Sequence, residues 1–323
     1  CSSDLEEDME EKTTLTEFRK MNSVKKKRIV RKNMWCWVFM LPTLLLYILF
    51  QGYPIITSAW YSMLDWSGMT MNATFVGLQN FKELLADPLF KNSVVNSFKY
   101  MIFSVPIQLI LSLVIAYILT SIIRKGATVF RTMYFIPVIT TASIVGIIMI
   151  FIFGGTGPIN QVLALLGIDT INFLGDEKTA LFTVVLIGIW KDLGTYMIYW
   201  IAALQSVSQD VYEAAKIDGA GKFRTFTDVV FPLILPIGGV ITVLCVIGSL
   251  KVFDIVQTMT NGGPYFATDV VATFVYRTAY SSTTGSPRLG YASAAALLFG
   301  LMVVTIGVVL NLVKNYFNKK RNV

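Results

Sequence analysis

Six apolar runs dominate the chain, each near the roughly 20 residues that a helix needs to cross the hydrocarbon core of a bilayer. They cover approximately residues 35–57, 98–123, 130–153, 180–204, 235–256 and 292–313. Pro42, Pro106 and Pro137 fall inside them, where a proline bends a helix and leaves carbonyls for its neighbours to satisfy. The pattern predicts an all-α membrane protein with six transmembrane helices. Residues 1–33 form a separate tail and 34–323 the membrane domain. Asp4, Glu6, Glu7, Asp8, Glu10 and Glu11 crowd the start of the tail without apolar periodicity, the composition of a disordered segment. A first residue Cys1 points to processing or truncation, and a lipid on it would have to face outward, against the orientation derived below.

A charged island separates the fourth run from the fifth. Ser206 with Gln209 has the spacing of a capping box, and Asp210 places a negative charge in the first turn of the helix that follows. Val207, Val211 and Ala214 then recur on one face. Gly219 suits the left-handed conformation that ends a helix. A second short helix carries Phe223, Phe226 and Val230 on its apolar side, and Pro232 stops it. Such a helix-turn-helix, tethered between spans, has nothing of its own to cover its apolar face. It calls for a partner.

Charge sets the orientation. With the amino terminus inside, the inner segments carry nine Lys or Arg in the tail, including the run Lys25, Lys26, Lys27, Arg28, Arg31 and Lys32. They also carry Arg124, Lys125, Arg131, Lys216, Lys222, Arg224, Lys314, Lys319, Lys320 and Arg321. The outer segments hold only Lys82, Lys91, Lys99, Lys178, Arg277 and Arg288. This bias puts both termini and the charged island in the cytoplasm. The formal net charge of +7 therefore reads as membrane topology, not as a nucleic-acid surface. With 54% hydrophobic and 15% charged residues, an ordinary soluble domain is excluded.

Chemistry inside the chain has little to work with. Histidine, the commonest general base, is absent, and Cys1, Cys36 and Cys245 are too scattered for a disulfide framework or a zinc site. No Gly-x-x-x-x-Gly-Lys-Ser/Thr loop is present to cradle phosphates. No catalytic residue, metal site or cofactor is expected here.

Polar groups within spans mark a candidate pathway. Asp192, Thr195, Tyr196 and Tyr199 share a helical face in the fourth run, Lys191 adjoins it and Trp190 lies to its side. The second run offers a weaker stripe of Ser104, Gln108 and Ser112, and Lys251 with Asp254 has the i, i+3 spacing of a pair. The same residues could equally glue helices together. Ala292, Ser293, Ala294, Ala295 and Ala296, with Gly300, permit close helix contact in the last run. The outer connections, residues 58–97, 154–179 and 257–291, contain turn chemistry such as Asn261-Gly262-Gly263-Pro264 and could form a docking face.

Glu213, Ala214, Ala215 and Gly219, with Pro232 thirteen residues beyond the glycine, resemble the EAA loop of permease subunits of ATP-binding-cassette importers. Val229 and Phe231 stand where that pattern prefers Ile and Leu, a conservative departure. From about Trp35 onward the chain looks like the first of the two permeases of bacterial carbohydrate importers, the maltose, lactose and glycerol-phosphate type. Phe75-Val-Gly-Leu-Gln-Asn-Phe81, Phe130-Arg131 with Pro137, Gly157 with Asn160, Trp190-Lys191, Phe253-Asp254, Thr260-Asn-Gly-Gly-Pro264 with Thr268, and Leu289-Gly-Tyr-Ala-Ser-Ala294 carry that likeness.

The resemblance implies a type I importer fold and a non-catalytic subunit in the bacterial plasma membrane. It implies a second, homologous permease, two ATPase subunits that bind ATP and Mg, and an extracellular sugar-binding lipoprotein as partners, with a small carbohydrate as cargo. Glu213, Ala214, Ala215, Asp218, Gly219 and Pro232 would then contact the ATPase. Trp190, Asp192, Tyr196, Tyr199 and Gln108 are pathway candidates, and Asn261, Gly262, Gly263 and Pro264 docking candidates. The alternatives are an importer of a non-sugar solute and an ion-coupled secondary transporter. The latter would show internal repeats and deeper charges.

Overall fold

The computed structural model describes residues 34–69, 72–123, 126–280 and 286–321, with side chains as far as Tyr316. The acidic tail, the basic run Lys25–Lys32, and Arg124 and Lys125 lie outside the described residues, as do the side chains of Lys319, Lys320 and Arg321. Among the described residues, six helical stretches, two of them interrupted, are long and apolar enough to cross a membrane: Met34–Tyr61, Pro88–Ile122, Ala142–Leu165, Glu177–Gln205, Lys222–Met259 and Leu289–Tyr316. The chain falls into two units, Cys1–Ser58 and Ala59–Val323.

The first unit contains most of α1 (Met34–Tyr61), an apolar helix that encloses Pro42. A π turn, Ile48–Gly52, ends two residues before Pro54. Proline has no N–H for the regular ladder, and a single wide turn is one way a helix adjusts. The Thr57 hydroxyl donates to the carbonyls of Tyr53 and Pro54, both at 3.1 Å.

In the second unit a two-stranded antiparallel hairpin, β1 (Leu64–Asp65) and β2 (Thr74–Phe75), leads to α2 (Gln79–Ala86). Asn80 is buried, and its amide donates to the carbonyls of Ser62 and Leu64 at 2.8 and 2.9 Å. The Phe75–Phe81 motif thus folds the chain back onto itself. Helix α3 (Pro88–Ile122) starts ten residues before its apolar run. The signal was in the sequence: Asp87 accepts from the Leu89 N–H at 2.8 Å, and Pro88 sits in the first turn, where a missing N–H costs nothing.

The buried face of α3 is polar. Ser93, Asn96, Ser97, Tyr100, Ser104, Gln108 and Ser112 are all buried, and α3 packs along α7 (Glu177–Gln205). Small residues permit that approach. A Cβ on Gly188 would fall 2.0 Å from the Tyr100 hydroxyl, and one on Gly194 would fall 2.3 Å from the Tyr134 carbonyl of α4 (Ala127–Ile139). Replacing Gly194 with valine is expected to force α4 off α7. A fluorescence-detected gel-filtration profile should then show a clear loss of monodisperse protein, whereas replacement of the exposed Gly221, which has open space, should not.

The expected third span, 130–153, is not one helix. It divides into α4 and α5 (Ala142–Phe153), followed by the short α6 (Pro158–Leu165). Thr140 and Thr141 take extended backbone, with ψ of 137° and 140°. The Thr140 hydroxyl donates back to the Ile136 carbonyl, and Thr141 caps the N–H of Ile144. An unbroken apolar run concealed two threonines that end one helix and begin another.

Pro232 does not stop a helix. One α turn, Lys222–Arg224, passes into a π turn, Thr225–Val230, and then directly into α9 (Phe231–Leu250), with Pro232 in its first turn. After a break at Lys251–Phe253 come α10 (Asp254–Met259), α11 (Val271–Tyr280) and α12 (Leu289–Arg321). The small residues of α12 are used internally. Tyr291, Ala292, Ala294 and Ala295 are buried, and a Cβ on Gly290 would fall 2.0 Å from the Leu64 carbonyl, whereas Gly300 faces open space.

Candidate functional site

Three places gather the polar chemistry, and the first is the loop between α7 and α9. Its helix α8 (Gln209–Ile217) has Asp210 in the first turn, but its N-cap is Ser208 and no side chain caps it. The expected Ser206 capping box is absent because that hydroxyl donates to the Ala203 carbonyl at 2.7 Å and finishes α7. At the other end, the Gly219 N–H donates to the Lys216 carbonyl at 3.1 Å and the Ala220 N–H to the Ala215 carbonyl at 2.9 Å. Gly219 has φ 76°. This is the paired pattern of a Schellman turn, which aims the chain back toward the membrane helices.

The two faces of this loop differ from the sequence reading. Ala215 is buried, and Val207, Tyr212 and Phe226 pack on a cluster of Ala116, Leu119, Trp200, Leu204 and Val230. Burial pushes the Tyr212 phenol up, with Tyr117 adding to it. The Tyr117 ring lies 4.4 Å from that of Phe226, and its hydroxyl donates to the Lys222 carbonyl at 3.1 Å. The loop therefore does cover one apolar face against its own bundle. Of the apolar face that the sequence left for a partner, Val207, Phe226 and Val230 are covered by the bundle, whereas Ala214 and Phe223 stay exposed. Glu213, Ala214, Lys216, Asp218 and Gly219 are exposed, Ile217 is 85% exposed and Phe223 79%. Ile217 escaped the sequence reading, although a residue one short of a helix-ending Asp-Gly is a visible cue.

The second place is a cavity of about 210 Å³ among α3, α7 and α9–α10, lined by Gln108, Lys191, Asp192, Tyr196, Lys251 and Asp254 among others. It brings three of the pathway candidates together. Gln108 is buried with an unpartnered Nε2, and Lys191 donates to Asp192 at 3.1 Å. Trp190 and Tyr199 stand outside its wall, each more than 40% exposed, with Tyr199 edge-on to Tyr196 at 6.0 Å. Lys251 and Asp254 do not form the expected i, i+3 pair, because α9 ends before Lys251 and α10 starts at Asp254. Both still reach the cavity.

The third place is the opposite end of the bundle from α8. Gly262 is buried, Gly263 and Pro264 are half-buried, and Asn261 is exposed. Asn261, Gly262, Tyr265 and Phe266 all have positive φ, and the Gly263–Pro264 peptide is cis. Beneath them Asp269, wholly buried, receives both guanidinium nitrogens of Arg277 at 3.0 and 2.8 Å and the Thr273 hydroxyl at 2.7 Å. The Arg277 guanidinium also lies 4.6 Å over the Phe266 ring.

A second ion pair closes this end. Arg288 binds both oxygens of Glu83 and lies 4.4 Å over the Tyr291 ring, while the Tyr291 hydroxyl donates to Asp87 at 2.8 Å. The hydrogen bonds from Arg288 hold the Glu83 carboxyl below the usual carboxylate range. A depressed acid adds stability above its ordinary pKa, near 4.5, and loses it as pH falls through the lower folded value. Glu83→Gln is expected to remove part of the acid-side loss in melting temperature between pH 6 and pH 3. The effect is small because both partners are substantially exposed.

Taken as a class, this is a multi-pass membrane protein of helical-bundle type with a partly exposed polar loop between two of its spans. The family model described as "Binding-protein-dependent transport system inner membrane component" matches residues 84–323, and the chain belongs to that family. Its relatives include the probable ABC transporter permease YurN of Bacillus subtilis, 32% identical over 84% of this chain and 91% of that one. The multiple sugar-binding transport system permease MsmF of Streptococcus mutans is 29% identical over 87% and 95%. The probable starch degradation products permease AmyD of Thermoanaerobacterium thermosulfurigenes is 30% identical over 93% and 99%. The fold matches the crystal structure of a bacterial ABC transporter that imports alginate, with a TM-score of 0.78 at 21% identity, covering 90% of this chain and 98% of that one. A second structure of an alginate transporter, in complex with a periplasmic protein bound to an alginate pentasaccharide, gives 0.79 over the same shares.

Proposed function

We propose that this chain forms half of the translocation pathway of an ATP-driven carbohydrate importer, fed by an extracellular solute-binding protein. Family membership supplies the transport role. The sugar class follows from relatives described as sugar permeases. The single observation that carries the coupling is the outward face of α8 and its turn, where Glu213, Ala214, Ile217, Gly219 and Phe223 stand clear of the bundle. Exposed apolar side chains beside a carboxylate, on a loop anchored by Ala215 and Phe226, suit a cleft on a soluble ATPase partner.

In this reading the loop faces the cytoplasm, as do both termini. ATP binding closes a pair of ATPase subunits, the docked helix moves with them, and the bundle rocks against a second permease. Gln108, Asp192 and Tyr196 replace water around a hydroxylated solute in transit. ATP and Mg act in the partner, and this chain only transmits the movement.

The test is Ala214→Trp. A bulky ring on the docking face, away from the bundle, is expected to abolish co-purification of the ATPase and ATP-driven sugar uptake while leaving the melting temperature unchanged. Retention of both activities by a folded Ala214→Trp protein would defeat the docking role. Sugar uptake that follows an ion gradient in the absence of the ATPase would defeat the importer reading.

A further inference from the structure

The Asn-Gly-Gly-Pro segment is mostly framework. Its Gly262 is packed so closely that a Cβ there would fall 2.8 Å from an Asp269 oxygen. The Gly263 N–H donates to the Thr260 carbonyl at 2.8 Å, and the Thr268 hydroxyl donates to the Gly263 carbonyl at 2.6 Å while meeting the Thr260 hydroxyl at 2.7 Å. From α3, Asn92 and Asn96 both donate to the Phe266 carbonyl, at 2.8 and 3.1 Å, and Asn96 also to that of Asp269. The Phe266 ring is clamped under Arg277, itself locked to Asp269. Of the two aromatic side chains in this knuckle, Phe266 is tied inward and Tyr265 is not. Tyr265 is 86% exposed.

The backbone makes this arrangement hard to dismiss. Tyr265 and Phe266 have φ of 45° and 62°, two successive aromatic residues in a left-handed conformation that costs a residue with a Cβ of order 1–2 kcal/mol each. Such strain persists only where surrounding contacts impose it, and it clusters at sites that must present a group in one direction. The consequence here is a constrained backbone from which the Tyr265 ring projects into open space. A tyrosine has only two side-chain torsions to lose on contact, and on a constrained backbone it loses little else, which is why tyrosine recurs among the anchors of protein interfaces. Tyr265 does not line the polar cavity among α3, α7 and α9–α10, so it does not serve the solute in transit there.

We infer that Tyr265 is the anchor by which this end of the bundle engages the extracellular solute-binding protein, with Asn261–Pro264 as its scaffold and not as the contact. This rests on the importer reading above. The partner should offer an apolar pocket with a polar rim able to receive one tyrosine ring.

The experiment uses the complete transporter in nanodiscs with the solute-binding protein of the same system, purified and loaded with its sugar. ATP hydrolysis is titrated against that protein. Tyr265→Ala is expected to raise the concentration for half-maximal stimulation about tenfold or more, with Tyr265→Phe near wild type and Arg277 and Asp269 intact. A photo-crosslinking phenylalanine analogue at position 265 should join the binding protein covalently. Wild-type-like stimulation of a folded Tyr265→Ala transporter, or crosslinks to lipid or to another transporter subunit alone, would overturn the assignment. A wild-type transporter that no loaded binding protein stimulates would instead bring down the importer reading itself, and this inference with it.

Discussion

On the proposed importer reading, replacing Gly219 with valine is expected to weaken ATPase association and sugar uptake together. The residue closes α8 at φ 76°, and both reverse hydrogen bonds of its turn depend on that conformation. A β-branched side chain there costs about 1–2 kcal/mol, and relief of that strain rotates α8 away from the line set by Ala215 and Phe226. If the ATPase recognises the present orientation, that cost corresponds to roughly tenfold weaker association. The measurement is the fraction of ATPase retained on the tagged permease after washing, together with sugar uptake by vesicles. Gly219→Asn, which tolerates the left-handed region, should keep most of both. Equal loss in the Asn and Val variants would show that the turn geometry is not the cause.

The second large effect is expected at Asp269. Its carboxylate is wholly buried and Arg277 retains only 14% side-chain exposure, so either partner alone is an uncompensated charge in the protein interior. Arg277→Leu is expected to destabilise the protein by about 3–5 kcal/mol, seen as a drop on the order of 10 °C in melting temperature. The double replacement Asp269→Leu with Arg277→Leu should recover a good part of that loss, because it removes the orphaned charge as well. An Arg277→Leu protein that melts like the wild type would mean that the pair is not buried as described. Because Asp269 also receives Thr273 and its carbonyl receives Asn96, the damage should spread to the knuckle that carries Tyr265.

These two sites differ in how far the sequence foretold them. Gly219 was legible because a turn needing positive φ leaves a mark on composition, and Asp210 and the run of charge located the helix before it. Asp269 with Arg277 was not. The pair lies eight residues apart across a helix start in what read as an outer loop, and nothing local says that both are enclosed. Lys251 with Asp254 shows the opposite failure. There the spacing suggested a pair, and a break in the helix at Lys251–Phe253 removed the premise.

By itself, the sequence determined the membrane class, the approximate positions of most spans, the charged loop and the likeness to importer permeases. All of these rest on composition and on short-range periodicity, which survive whatever the chain packs against. Only the tertiary structure decided which faces are free. It turned Ala214 and Phe223 outward and Ala215 inward, split the third apolar run at Thr140–Thr141, carried the helix through Pro232, and made Asn-Gly-Gly-Pro a pedestal for Tyr265. The split and the run through Pro232 were settled by local backbone conformation, and the faces and the pedestal share another reason. Helical period states which residues share a face, but which face is covered depends on neighbours far along the chain, and on hydrogen bonds such as those from Asn92 and Asn96 that no local pattern announces.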